Sequence, residues 1–76
     1  MDWKQEEKFL VKEFEFGNFV EAVQFVDKIL PIAEAANHHP DIFIHDYKKV
    51  KIMLFSHDEG TVTEKDYSLA KKIDEL

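Results

Sequence analysis

The chain has 76 residues, a formal net charge of −6 and 45% hydrophobic residues. This length allows one domain, and the composition is typical of a packed globule rather than a disordered chain. The sequence contains no cysteine, which excludes disulfides and thiolate metal sites, and its acidic balance disfavours nucleic acid as a partner. A charged N-terminus and the lack of an apolar run of about 20 residues argue against a signal peptide and a membrane span, so the expected location is the cytoplasm.

The first half of the chain predicts two strands followed by a long helix. Residues 8–16 have the alternation of a strand, and residues 3–6 are interpreted as its short partner strand. Asn18 is a suitable N-cap for a helix expected from Phe19 to Ala36, which Pro31 should kink. The apolar positions of this helix cover about half of its circumference, enough to contact both a sheet and a second helix. They are Phe19, Ala22, Val23, Val26, Ile29, Leu30 and Ala33, widened by Phe25, Ile32 and Ala36.

The second half of the chain predicts two more strands and a shorter helix. Residues 42–45 and 48–56 are interpreted as strands. Thr63 and Asp66 have the spacing of a capping box at the start of a helix over residues 64–75. The order of the elements predicts an α+β domain, in which an antiparallel sheet of about four strands carries the helices on one face.

Histidines are the first candidates for chemistry. His38 and His39 are adjacent and precede Pro40, and His57 ends the last predicted strand. An imidazole gives or takes a proton near pH 7 without a large pKa shift, so these three side chains are candidate acid–base groups. Surface histidines at loop ends are an equally simple interpretation, and His45 is interpreted as a surface strand residue.

A metal site is the competing interpretation of the same residues. Glu34 and His38 are four residues apart, so both could reach one ion, and His57 could complete the site. However, adjacent histidines rarely bind the same ion, and the HExxH spacing is absent, so no metal is expected. Glu34 and Asp66 also have plain structural interpretations, as a solvated helix residue and a helix-capping carboxylate.

Taken in chain order, these residues resemble the pterin-4a-carbinolamine dehydratase family. The core of the resemblance is the segment Glu34-Ala-Ala-Asn-His38-His39-Pro40-Asp41, which is similar to the family's E-x-x-x-H-H-P pattern. Further matching patterns are Phe14-x-Phe16-x-x-Phe19-x-x-Ala22-x-x-Phe25, Tyr47-x-x-Val50, Ser56-His57-Asp58 and Gly60-x-x-Thr63-x-x-Asp66-x-x-Leu69-Ala70.

The resemblance implies a fold, an activity and partners. Family members have a four-stranded antiparallel sheet with helices on one side and form dimers or tetramers. They dehydrate 4a-hydroxytetrahydropterin to quinonoid dihydropterin without a metal or organic cofactor. The resemblance therefore implies a cytoplasmic homo-oligomer with a pterin substrate and without nucleic-acid or membrane partners. It also implies a place in recycling the cofactor of the aromatic amino-acid hydroxylases, which are candidate pathway partners.

The resemblance also implies site residues within one dehydratase-like domain over residues 1–76. His38, His39 and His57 match the family's catalytic histidines, with proton transfer expected of His38 and His57 and pterin orientation of His39. The expected substrate-binding or supporting residues are Glu34, Pro40, Ser56 and Asp66. Ser56 stands where a threonine is usual, and the helix that members usually carry before the tryptophan is expected to be absent here. A flat aromatic pterin should need apolar walls with a few polar groups.

Two alternatives stay open. One is a non-catalytic interaction module of the same fold, since some animal relatives also stabilise dimers of a transcription factor. The other is a role near molybdopterin metabolism.

Overall fold

Residues 2–76, which the computed structural model describes, form one four-stranded antiparallel sheet and two helices. The strands are β1 (Lys4–Glu6), β2 (Phe9–Glu15), β3 (Asp41–His45) and β4 (Lys49–Leu54), and the helices are α1 (Phe19–Ala36) and α2 (Glu64–Asp74). The strand order across the sheet is β1-β2-β4-β3, so β1 and β3 form its two edges. The predicted α+β fold is confirmed, and each element lies within two residues of its predicted ends.

The apolar face of the sheet follows from the register of β2 against β4. Leu10 pairs with Leu54, and Phe14 pairs with Val50, so their side chains point to the same face because residues directly opposite in a ladder share a side. This face packs against both helices in one core. The helical residues of that core are Ala22, Phe25, Ile29 and Ala33 from α1 and Leu69, Ala70 and Ile73 from α2.

Both helices begin at the capping residues that the sequence indicates. The side chain of Asn18 accepts a hydrogen bond from the backbone N–H of Glu21 at 2.9 Å, which satisfies one free donor at the start of α1. At the start of α2, Thr63 and Asp66 form the predicted capping box. Helix α1 runs without a break through Pro31.

The apolar stripe of α1 is only partly covered. Of the apolar residues in the predicted stripe, Phe19, Val23, Leu30 and Ala36 are exposed, and Leu30 retains 61% of its accessible surface. Phe25 is buried beside Phe14 and Phe16, with ring centroids 4.7 and 4.9 Å away. The sheet therefore covers one side of the stripe and leaves the other side open. Neither helix of the described chain is long and apolar enough to cross a membrane.

Candidate active site

A residue in the left-handed backbone conformation ends α1 and turns the chain toward the edge strand β3. Asn37 has a φ of 49° and closes the helix, its backbone N–H lying 3.1 Å from the carbonyl oxygen of Glu34. Asparagine tolerates this conformation better than most residues, so it serves here as glycine often does. The backbone N–H of His38 still bonds to the Ala33 carbonyl at 3.2 Å, which anchors the histidine pair to the helix end.

A tight turn after β4 presents the third histidine. The backbone N–H of Gly60 donates to the Ser56 carbonyl at 2.9 Å, and Ser56 and Thr61 form an isolated bridge, so residues 56–61 fold back on themselves. Gly60 has a φ of 70°, a conformation that an L side chain rarely adopts. His57 lies at the exposed tip of this turn, and its ring meets the Phe55 ring edge-on, with centroids 5.0 Å apart.

These two chain segments enclose an open cleft of about 350 Å³. All three predicted histidines line it, together with two of the predicted supporting residues, Pro40 and Ser56. The remaining lining residues, Asn37, Asp41, Phe55, Asp58 and Lys65, were not predicted as site residues. Each of the first four is a direct chain neighbour of a predicted residue, so its place in the cleft follows from the segments that carry the histidines. Lys65 directly precedes the predicted Asp66, but it comes from the start of α2 rather than from a histidine-bearing segment.

The cleft is more polar than the sequence analysis expected. Pro40 and Phe55 supply its apolar surfaces, whereas histidine, aspartate, asparagine, serine and lysine side chains form most of the remaining wall. A flat aromatic ligand could therefore lie against these two side chains, while its polar edges face imidazoles and carboxylates.

One of the histidines, His38, is hydrogen-bonded to a buried carboxylate. Nε2 of His38 lies 2.5 Å from Oδ1 of Asp66, and the Asp66 side chain has no exposed surface. The other carboxylate oxygen of Asp66 accepts hydrogen bonds from the Ser56 hydroxyl at 2.7 Å and from the Thr63 backbone N–H at 2.9 Å. Asp66 does not itself line the cleft, but two residues that do, His38 and Ser56, are hydrogen-bonded to it.

Opposing effects determine the charge of this carboxylate. Burial raises the pKa of Asp66, but the hydrogen bonds from His38, the Thr63 backbone and Ser56, together with the charge of His38, lower it by more. The net result is a pKa below the ordinary value of 3.8. Asp66 is therefore ionised at neutral pH, and its lone pairs are directed to donors on three different segments of the chain.

The second histidine of the pair has a different environment. Nε2 of His39 lies 2.6 Å from a carboxylate oxygen of Glu34, and both side chains are more than half exposed. An ion pair this exposed is screened by water and contributes little to stability. Glu34, which was predicted to support the site, thus contacts His39 and does not line the cleft.

The competing metal interpretation depended on Glu34 and His38 sharing one ion. Glu34 was considered as a partner of His38 because they are four residues apart, but α1 ends at Ala36 and Glu34 pairs with His39 instead. Within residues 2–76, no group of three histidine or acidic side chains is arranged to hold an ion.

His45 is a strand residue near the surface, as predicted, and it also contacts a carboxylate. His45 lies on β3, on the sheet face opposite the helices, and its Nε2 is 2.6 Å from a carboxylate oxygen of Glu13. Its ring stacks on Phe43 with centroids 5.3 Å apart. It does not line the cleft.

Comparison with known proteins is consistent with the resemblance noted from the motifs. The family model described as pterin 4 alpha carbinolamine dehydratase matches residues 1–76. A protein of Sulfolobus acidocaldarius, provisionally named as such a dehydratase, is 50% identical over 74 residues, which span 97% of this chain and 80% of that protein. A protein of Picosynechococcus with the same provisional name is 45% identical over 75 residues, with 99% of this chain and 80% of the relative covered.

Two solved structures share the fold. A transcriptional coactivator/pterin dehydratase from Brucella melitensis superposes with a TM-score of 0.89 at 30% identity, covering 97% of this chain and 80% of that one. A pterin dehydratase-like protein, described as a RuBisCO assembly factor in the alpha-carboxysome, superposes with a TM-score of 0.79 over 99% of this chain and 88% of its own. Its identity is 24%, so this second likeness concerns the fold alone.

Proposed function

The chain belongs to the pterin-4a-carbinolamine dehydratase family, and from that premise we propose that it removes water from 4a-hydroxytetrahydropterin to give quinonoid dihydropterin. The observation that carries the proposal is the cleft lined by His38, His39 and His57, in which His38 is backed by the buried carboxylate of Asp66. A surface histidine at a loop end needs no such partner.

The reaction needs two proton transfers at neighbouring atoms. A proton is delivered to the 4a-hydroxyl as its bond to carbon breaks, and a proton is removed from a ring nitrogen whose electron pair forms the new C=N bond. One molecule of water leaves, and no oxidant or reductant is required. Imidazoles can perform both transfers near neutral pH, and each general acid or base accelerates such a reaction by about 100- to 10,000-fold.

The environments of the histidines favour a division of roles. His38 and His57 both line the cleft and reach it from different segments, one after α1 and the other after β4, so a ligand in the cleft would have two separately positioned imidazoles beside it. We assign proton transfer to these two residues. His39 is exposed and paired with Glu34, an arrangement better suited to orienting the pterin.

The proposed activity has a place among pterin-dependent reactions. A 4a-hydroxytetrahydropterin is the oxidised cofactor product of aromatic amino-acid hydroxylases, as the family resemblance implies. The dehydratase would then support recycling of that cofactor, with a hydroxylase as a pathway partner rather than a bound one.

We also propose that the protein works as a symmetric homo-oligomer. Phe19 and Leu30 on α1 are exposed at 54% and 61%, although both are large apolar side chains. Large apolar side chains left exposed along one helix often belong to an interface. Among residues 2–76, the edge strands β1 and β3 each have one side without a paired strand, which invites pairing with a second copy across a two-fold axis. A dimer is the minimum, and use of both surfaces gives a tetramer.

An interaction module without turnover is the alternative function. It is favoured by the exposed stripe of α1 and by the fold shared with a RuBisCO assembly factor, and such a module would not need the Asp66–His38 pair.

A direct assay separates the two functions. Chemically generated 4a-hydroxytetrahydropterin loses water slowly without a catalyst, and the appearance of the quinonoid product is followed by absorbance. We expect the purified protein to accelerate this reaction at sub-stoichiometric amounts. A rate equal to the uncatalysed one, from folded protein, would support the interaction module instead.

A further inference from the structure

The two hydroxyl groups beside Asp66 form a chain of hydrogen bonds that ends on its carboxylate. Oγ of Ser56 lies 2.7 Å from Oδ2 of Asp66 and 2.8 Å from Oγ1 of Thr63. The Thr63 hydroxyl oxygen in turn accepts from the backbone N–H of Lys65 at 3.3 Å. These groups lie at the start of α2 or shortly after β4, and of these residues Ser56 and Lys65 also line the cleft.

The direction of each hydrogen follows from counting donors. An ionised carboxylate only accepts, so the Ser56 hydroxyl must give its one hydrogen to Asp66. Ser56 then has no hydrogen left for Thr63, so the Thr63 hydroxyl donates to Ser56. The Thr63 oxygen keeps a lone pair for the Lys65 backbone N–H. The hydrogens therefore all point toward Asp66, and each hydroxyl donates once and accepts once.

Because Oδ2 of Asp66 is already occupied by two donors, Oδ1 is the oxygen that accepts from His38. Oδ2 of Asp66 already accepts from Ser56 and from the Thr63 backbone, which leaves Oδ1 for Nε2 of His38 at 2.5 Å. Because Oδ1 can only accept, Nε2 must carry a hydrogen. In its neutral form, His38 is then the Nε2–H tautomer, and Nδ1 is the nitrogen with a free lone pair.

We propose that Ser56 and Thr63 are positioning residues, which lock His38 in the Nε2–H tautomer so that Nδ1 exchanges the proton with the substrate. This inference rests on the proposed dehydratase function and refines it. Ser56 borders the cleft, but it is only 3% exposed and its hydroxyl is committed to Asp66 and Thr63. Neither hydroxyl needs to touch the pterin, and both act through Asp66 and His38.

The tautomer lock matters because a neutral imidazole carries one hydrogen on either nitrogen. If His38 could turn over or exchange tautomers, the nitrogen that does not contact Asp66 would be a donor in some molecules and an acceptor in others. A fixed Asp66 prevents this, since only Nε2–H can satisfy Oδ1. Other titratable or charged groups share the cleft wall with His38 and enter its pH profile. They are His39, Asp41, His57, Asp58 and Lys65.

The test compares Ser56→Ala with Ser56→Thr. ¹⁵N chemical shifts of the His38 ring, recorded on the neutral imidazole at alkaline pH, report the tautomer without reference to any activity. We expect a single Nε2–H form in the wild type and in Ser56→Thr, which keeps the hydroxyl. Ser56→Ala should give a mixture, with kcat lower by about 10- to 100-fold, KM little changed and an altered acid limb of the pH profile.

Asn18→Ala provides a matched control for lost helix capping. Asn18 caps α1 as Thr63 caps α2, but it lies outside the cleft. We expect this variant to melt at a lower temperature with an unchanged His38 tautomer and kcat. Thr63→Val should combine the two effects, because it removes both a cap and the hydroxyl that donates to Ser56.

Two results would overturn the inference. The first is a wild-type His38 in the Nδ1–H form, which would contradict the inference even if no variant folds. The second is a folded Ser56→Ala variant that keeps both the Nε2–H tautomer and the wild-type kcat. Failure of the dehydratase assay is a separate result, since the ring shifts are measured on the protein alone.

Discussion

Nε2 of His38 lies 2.5 Å from Oδ1 of the fully buried Asp66, and this contact joins two parts of the fold that are 28 residues apart in sequence. His38 follows the end of α1, whereas Asp66 belongs to the first turn of α2. Ser56, after β4, reaches the same carboxylate. The candidate site is therefore assembled only when both helices are packed on the sheet.

Asp66 should stabilise the fold in a pH-dependent way. Its pKa in the folded protein lies below the ordinary value of 3.8, so its contribution is present above that pH and is lost as the pH falls through the folded value. Asp66→Asn should lower the free energy of unfolding at pH 7 by about 2 to 3 kcal/mol, because buried donors lose a charged acceptor. The unfolding free energy of Asp66→Asn should also decrease less than that of the wild type as the pH is lowered.

Urea unfolding at pH 7 and at about pH 3 measures both effects. Asp58→Asn is the control, since Asp58 is an exposed carboxylate at the cleft and should alter stability little. Equal unfolding free energies for the wild type and Asp66→Asn at pH 7 would contradict this account of the carboxylate.

The histidines should differ in the kinetic constant that they control. His38→Ala and His57→Ala should each lower kcat by about 100-fold or more, as expected for loss of a general acid or base, while circular dichroism shows an intact fold. His39→Ala should mainly raise KM. Steady-state kinetics on the three variants checks this division, and normal turnover in both His38→Ala and His57→Ala would remove the proposed mechanism.

Sequence patterns predicted the elements well because they depend on local rules. Alternation located the strands, and the Asn18 and Thr63 caps marked the helix starts. Periodicity could not show which residues of the broad apolar stripe of α1 are buried and which are exposed, because a sequence pattern does not reveal how much of a helix the sheet covers. In the structure, Phe25 is buried in the core, whereas Leu30 is exposed.

Partners of the site residues were harder to predict than the residues themselves. The spacing of Glu34 and His38 suggested a shared ligand, but Asn37 turns the chain at the helix end and Glu34 meets His39 instead. The contact of His38 with Asp66 joins residues 28 positions apart and leaves no periodic signal in the sequence. Asp66 was identified as a supporting residue by the family resemblance, and its spacing alone indicated only a helix cap.

Dehydration by histidines alone should need no metal. We expect kcat to be unchanged after exhaustive chelation and gel filtration, since imidazoles can carry out both proton transfers. Metal content is measured on the same samples. Stoichiometric zinc in the active protein, with activity lost on its removal and regained on its return, would contradict this prediction and restore the site of Glu34, His38 and His57.

The exposed stripe of α1 should take part in assembly. Leu30→Glu places a charge on exposed apolar surface without disturbing the core, so it should weaken the oligomer while the chain stays folded. Phe25→Glu is less informative, because Phe25 is buried and the change would act on folding as well. Lys72→Glu on α2 is exposed and should have little effect.

Light scattering at micromolar concentration distinguishes these outcomes. The wild type and Lys72→Glu should have at least twice the chain mass of 9.0 kDa, and Leu30→Glu should shift toward that mass. A wild-type protein that is a clean monomer would contradict the assembly proposal.

The most direct test of histidine-catalysed dehydration is the rate of quinonoid dihydropterin formation from 4a-hydroxytetrahydropterin, measured for the wild type and for the double variant His38→Ala/His57→Ala. The wild type should turn over many equivalents of substrate and accelerate the reaction well above its uncatalysed rate. The folded double variant should lose most of this acceleration, because no imidazole remains in either proton-transfer position. Equal rates for the two proteins, or a wild-type rate no faster than buffer, would contradict the account.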